Sequence, residues 1–269
     1  MIENSFIILP RISYATEMKL WRMGITTWED FINSSKVSGF SKIRKEKCDK
    51  ILSLAFRFID AGNSSYFKAM LPSSEQWRIY SRFRDRATYL DIEIDGEGPS
   101  KKITLIGIHR NGQTHSLIRG INLTRNIVRE ILKDSTILVT FNGSSCDIPL
   151  LEKEFPFIAS RIPHFDLHYA CRRIGITGGL KKVEQAVGIK RERNLEYLTS
   201  EHASYLWKLW EKKGNKNALK LLVSYNREDT QSLITLATYL YEQLKRELLN
   251  IITESQKMGD RRIASGTKS

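Results

Sequence analysis

The sequence predicts an α/β protein: a mixed β-sheet flanked by helices, with a small all-helical domain in front of it. Three observations carry that reading. Residues 1–86 carry helix caps and helical apolar periodicity. From Ala87 the texture changes to alternating, β-branched stretches. Thereafter the order is three strands, a helix and a wholly apolar fourth strand, a βββαβ arrangement. The predicted division is a helical domain over 1–86, the sheet domain over 87–250, and a polar, basic tail over 251–269 expected to be disordered.

Composition narrows the partners. Lys and Arg number 43 against 30 acidic residues, a net charge of +13, which points to a polyanion, nucleic acid before a membrane surface. Cys48, Cys146 and Cys171 form no C-x-x-C pair, as expected of thiols in a reducing compartment. No apolar run approaches the ~18 residues of a membrane helix. A soluble cytoplasmic protein is expected.

Ala15 to Met23 reads as a helix closed by Gly24, a residue suited to the left-handed helix end. Thr26 with Glu29 offers a capping box for the next helix. Lys42 to Ala61 follows, with Ile43, Ile51, Leu52, Leu54 and Ala55 as its apolar face. Leu9-Pro10-Arg11-Ile12-Ser13 followed by Leu20 to Thr27 resembles a degenerate helix-hairpin-helix module, which would bind a DNA backbone through hairpin amides. No glycine stands at Arg11 to Ser13, and a helical lid or docking domain is the competing reading.

The first strand is Ala87 to Asp95, where Asp91, Glu93 and Asp95 alternate with Ile92 and Ile94. Alternation puts Asp91 and Glu93 on one face. On an interior strand the two anions need a positive partner, and a divalent metal is the natural one; on an edge strand they would simply face water. Lys102 to His109 and Gln113 to Arg119 are the next strands, joined at Asn111-Gly112. A helix over Thr124 to Lys133 leads to the buried strand Ile137 to Phe141.

Asn142-Gly143-Ser144-Ser145-Cys146-Asp147 then leaves that strand and enters a helix whose first turn holds Pro149. Asp147 is a helix cap or a ligand. Arg172, Arg173, Lys181, Lys182, Lys190, Arg191 and Arg193 surround Gly178-Gly179, opposed only by Glu184 and Glu192. Such a stretch suits tracking a phosphate backbone, or is a solvated face. His164 and His168 are poorly placed to share a metal, and Trp207 with Trp210 reads as core. On a last helix running to about Asn250, Tyr225 and Asp229 share a face at i,i+4.

D-x-E on a strand, N-x-x-x-x-D at a strand end and Y-x-x-x-D on a late helix, in this order, resemble the DEDD 3′–5′ exonuclease superfamily of ribonuclease H-like folds. The likeness covers roughly Trp77 to Leu244 and is nearest the predicted RNase-H-like, YprB-like branch. Ser224 stands where the histidine subtype has its histidine, so the tyrosine subtype fits. The resemblance implies a phosphodiester hydrolase acting from the 3′ end of single-stranded or frayed nucleic acid; DNA is expected before RNA, although 2′-hydroxyl contacts leave no signature in sequence. It implies two divalent ions, Mg²⁺ or Mn²⁺, which roughly 4 Å apart activate water and relieve phosphate charge. Asp91, Glu93, Asp147 and Asp229 would be the ligands, and Tyr225 would orient the water. Asn142 would contact the substrate strand, with Arg172, Arg173, Lys181, Lys182 and Arg191 as basic contacts. This chain departs from the family pattern at Ile94, Asp95 and Cys146, where the family carries Thr or Ser after the glutamate and an aromatic before the second aspartate. A structure-selective endonuclease on the same site, or a nucleic-acid-binding module with a vestigial site, are the alternatives. Asp166 matches a recurrent acidic position of the branch, without an assigned role.

Overall fold

Side-chain caps set the first helices of the computed structural model, which describes the backbone of residues 1–266 and the side chains of residues 1–258. Helix α1 (Tyr14–Arg22) starts at Ser13, whose hydroxyl accepts from Thr16 N, and Gly24 follows at φ 78°. Helix α2 (Trp28–Asn33) starts one residue later than its capping signal suggested. Thr27 rather than Thr26 is the cap, and Asp30 closes the box by accepting from Thr27 N at 2.8 Å. Trp28 and Phe31, both fully buried, decide that register. Helices α3 (Lys42–Asp60) and α4 (Ser65–Met70), a 3-10 segment (Ser73–Ile79) and α5 (Tyr80–Phe83) follow. In the expected hairpin, Leu9 N and Ile12 N bond to Phe6 O and Leu9 O, so the turn uses these amides itself.

Strand β1 (Ala87–Asp95) opens the sheet, which continues with β2 (Lys102–Arg110) and β3 (Gln113–Ile118). Asn111 and Gly112 take φ 49° and 74°, the two left-handed residues a tight hairpin needs. Helix α6 (Arg125–Leu132) crosses to β4 (Ile137–Thr140), and α7 (Asp147–Glu154) leads to β5 (His164–Asp166). The five-stranded order is β3-β2-β1-β4-β5. β1 and β2, and β2 and β3, are antiparallel; β4 runs parallel to both β1 and β5. The mixed ribonuclease H-like sheet is therefore present, with β1 at its centre, and the edge-strand reading of Asp91 and Glu93 falls.

Helices α8 (Leu167–Arg173), α9 (Leu180–Val187), α10 (Ser200–Lys213) and α11 (Lys216–Gly266) complete the chain. Alternation along β1 sorts its side chains between two cores. Leu90 and Ile92 pack with Val128 and Leu132 of α6 and Leu150 and Leu151 of α7. On the opposite face Leu105 packs with Ala203, Leu206 and Trp207 of α10 and Ala218, Leu222 and Tyr225 of α11. That is the face to which Asp91 and Glu93 alternate.

The chain divides into Arg84–Leu240 and a second unit of Met1–Phe83 with the described residues from Tyr241 on. The expected boundary at 250 and the disordered stretch from 251 are thereby corrected. α11 continues to Gly266, and Leu248, Ile252 and Ser255 are buried at helical spacing. The rest of the expected tail, from 267, lies outside the described residues. Among the described residues no helix is long and apolar enough to cross a membrane.

Candidate metal centre and cleft

The central position of β1 brings Asp91 and Glu93 beneath α11, and a missing side chain allows the approach. Gly107 pairs with Asp91 across β1 and β2. A Cβ there would lie 2.2 Å from both Asn226 Oδ1 and Thr230 Oγ1 of α11, so only glycine lets the helix seat this close. Asn226, fully buried, then donates to Asp91 Oδ2 at 2.8 Å and to Asp91 O at 3.3 Å. A bulge shifts the β1–β2 register between Glu93 and Ile94, and the hydroxyl of the extra residue, Thr104, donates to Glu93 O at 3.0 Å.

Asp91, Glu93 and Asp229 converge, each offering a carboxylate oxygen within 4.8 Å of the others. Asp147 stands at the first turn of α7 and is not a side-chain cap of that helix; Cys146 precedes it without a capping bond. The charge of Asp147 acts on both Asp91 and Glu93. Tyr225 lies one turn before Asp229 on α11 and lines the same cleft, close enough for each to act on the other's ionisation.

The electrostatics record the crowding. Burial, then Asp229, Glu93 and Asp147, pushes Asp91 well above the usual carboxylate range. Burial and Asp229 raise Glu93 to about 8. Burial and Asp166 raise Asp147 to about 7. Asp229 is raised by burial to only about 6, because Arg191 opposes the shift. Burial and the adjacent Asp229 also raise the Tyr225 phenol, which stays protonated as a donor.

Arg191 corrects an expectation. Instead of an exposed basic contact it is buried, its side chain 5% exposed. Its Nε and Nη2 donate to Glu184 at 2.5 and 2.9 Å, and Nη1 lies 2.5 Å from Asp229 Oδ1. Lys181 and Lys182 line the same cleft as Asp91, Asn142, Tyr225 and Asp229, a space of about 590 Å³. Lys181 Nζ bonds to Glu196 O at 3.0 Å and sits 5.5 Å from the Tyr225 ring centroid. Arg172 and Arg173 are exposed on α8, apart from the residues lining this cleft.

Asp166 acquires a physical role. Its Oδ1 accepts from Asn142 N at 2.8 Å and His168 N at 3.1 Å, and its Oδ2 from Ser144 N at 2.9 Å. It thus ties down the turn that presents exposed Asn142, at φ 62°, and leads to Asp147. His164 bonds to Thr140 Oγ1 at 2.8 Å, whereas His168 meets the Phe141 ring edge-on at 5.5 Å. The two histidines serve separate partners.

The donor set fits a hard divalent cation: carboxylate oxygens converge without cysteine or histidine. Among the described residues Asp229 Oδ1 and Asn226 Oδ1 are buried without an aligned hydrogen-bond donor. Sequence reasoning missed Asn226, Gly107 and Glu184. Their roles arise from contacts between elements, and only the isolated glycine in an apolar strand was a visible signal.

A profile of the RNase_H superfamily matches residues 88–241, and the chain belongs to that superfamily. No curated protein matches it. Among solved structures, the family B DNA polymerase of Pyrobaculum calidifontis aligns at 16% identity and TM-score 0.45, over 58% of this chain and 24% of the polymerase. The Aedes aegypti Nibbler EXO domain aligns at 13% and 0.44, over 68% of this chain and 91% of that domain. The catalytic core of RRP6 from Trypanosoma brucei aligns at 16% and 0.43, over 70% of this chain and half (50%) of that core.

Proposed function

We propose that the chain is a metal-dependent nuclease of the DEDD type, tyrosine subtype, in the YprB-like branch. It hydrolyses phosphodiesters from the 3′ end of single-stranded or frayed nucleic acid, DNA rather than RNA, in the cytoplasm. The observation that carries this reading is the convergence of Asp91, Glu93 and Asp229 within 4.8 Å in a cleft lined by Lys181 and Lys182. These three acids, with Asp147, would hold two Mg²⁺ or Mn²⁺ ions. Bound there, the ions supply a nucleophilic water at neutral pH and charge relief at phosphorus.

The chain's own groups do the positioning. Asn226 fixes the Asp91 carboxylate, and the protonated Tyr225 hydroxyl, in the same cleft one turn from Asp229, would orient the water. Lys181 and Lys182 take backbone phosphates in the cleft, with Arg172 and Arg173 further out. Asn142, held up by Asp166, contacts the strand. Structure-selective endonuclease action is the second reading, favoured by Ile94 and Cys146 at the positions where the family recognises a terminal nucleotide.

The test incubates end-labelled single strands, duplexes and flaps with Mn²⁺, using wild type and Asp91→Ala. A ladder shortening from the 3′ end, abolished in Asp91→Ala and by chelator, is expected. Cuts at internal junctions would select the endonuclease. Binding without cleavage by either protein, or cleavage undiminished in chelator, would refute the proposal.

A further inference from the structure

Arg191 is an uncommon neighbour for a metal ligand, because a guanidinium and a metal ion compete for the same carboxylate lone pairs. Its position is built in. α9 ends at Gly188, at φ 79°, and Ile189 N reaches back to Glu184 O at 2.8 Å, a helix stop that turns the chain onto Glu184. Two bonds of 2.5 and 2.9 Å then clamp the guanidinium to Glu184, which is 1% exposed.

The contact with Asp229 differs in kind. Nη1 lies 2.5 Å from Asp229 Oδ1, yet among the described residues neither atom has an aligned hydrogen-bond partner. Glu184 thus holds Arg191 through two aligned hydrogen bonds, whereas Asp229 meets it in a close ion pair at a single nitrogen. Arg191 can release Asp229 without losing its anchor.

We infer that Arg191 is a resident counter-cation that competes with the divalent metal for Asp229, so that loading the site opens this ion pair while Glu184 keeps the arginine in the cleft wall. The inference rests on the metal-dependent reading above. Once released, Nη1 remains in the wall that also carries Asn142 and Lys182, where an anionic substrate backbone supplies its new partner. Arg191 is then a positioning residue: it neutralises Asp229 when metal is absent and is freed toward substrate when metal is present.

The experiment is calorimetric titration of the full chain with Mn²⁺, comparing wild type, Arg191→Met, the double variant Arg191→Met/Glu184→Gln, and Lys182→Met. The double variant is decisive. It removes the Glu184 carboxylate that Arg191→Met alone would leave buried and unpaired, and it removes one positive and one negative charge, so net charge is unchanged. Losing a charge-assisted contact that competes with the ion should tighten Mn²⁺ binding about tenfold in the single and double variants. Lys182→Met, in the same cleft without a contact to Asp229, should change affinity by less than about twofold. A merely structural arginine would give the opposite sign, with weaker binding because Asp229 is no longer held. If wild type binds Mn²⁺ and the folded double variant binds no more tightly, the inference is overturned and the metal-dependent reading stands. If no form binds Mn²⁺, that reading fails and the inference with it.

Discussion

Arg78 and Arg191 are both buried between two carboxylates, Glu17 and Glu75 for the first, Glu184 and Asp229 for the second. Around Arg78 the group is closed. Nε donates to Glu75 at 2.6 Å, Nη1 to Ser5 at 2.9 Å and to Glu17 at 3.1 Å, and Glu17 also accepts from Phe6 N at 2.6 Å. Around Arg191 the group stays open. Asp229 continues into Asp91 and Glu93, with Asp147 acting on both, and the Arg191–Asp229 contact is unaligned. Buried ions saturated by protein partners hold a fold together, whereas acids in surplus over protein cations require a cation from solution.

Opposite phenotypes should separate the two groups. Asp229→Ala should lose Mn²⁺ binding and essentially all turnover while its urea midpoint holds or rises, because carboxylate repulsion is relieved. Arg78→Met should cost about 3–5 kcal/mol in urea denaturation, the usual result of leaving buried charges unpaired. An Arg78→Met protein as stable as wild type would mean that the closed group contributes nothing to the fold. A destabilised Asp229→Ala would mean that the open group is structural.

Within the open group, ligands and positioning groups should differ in degree. Tyr225→Phe removes one hydroxyl that lies in the cleft beside Asp229. Metal and substrate affinity should persist while single-turnover cleavage slows by about 10–10³-fold. Loss of metal affinity in this variant would place Tyr225 among the groups that build the site.

The contrast also explains what the sequence could reveal. The alternation at Asp91 and Glu93, the Asn111-Gly112 turn and the i,i+4 relation of Tyr225 to Asp229 are short-range patterns, and they appear in the fold as a central strand, a hairpin and two side chains lining one cleft. Thr26-Thr27 was ambiguous because both threonines have an acid three residues on; burial of Trp28 and Phe31 chose Thr27. The last helix outruns its expected end near Asn250: beyond it the apolar period fails in sequence, while in the fold polar Ser255 takes a buried position at helical spacing from Leu248 and Ile252. Arg191 looked like surface charge because its charge alone is visible in sequence, while Glu184 and Asp229 reach it only through tertiary packing. The same holds for Gly107, whose missing Cβ matters only once α11 lies over β2.

The most direct test of the surplus-charge account is thermal unfolding between pH 6 and 8, with and without Mn²⁺. Glu93 at about 8 and Asp147 at about 7 are raised in the folded protein. Groups raised in this way stabilise the fold fully below their unfolded values, and that contribution is lost as pH climbs through the folded values. Metal-free protein should therefore melt lower at pH 8 than at pH 6. At about a hundredfold excess over Kd, Mn²⁺ should raise the pH 8 midpoint by about 5–10 °C. That rise should vanish in Asp91→Ala. A wild-type midpoint at pH 8 that does not respond to Mn²⁺ would contradict the claim that these buried acids await a cation.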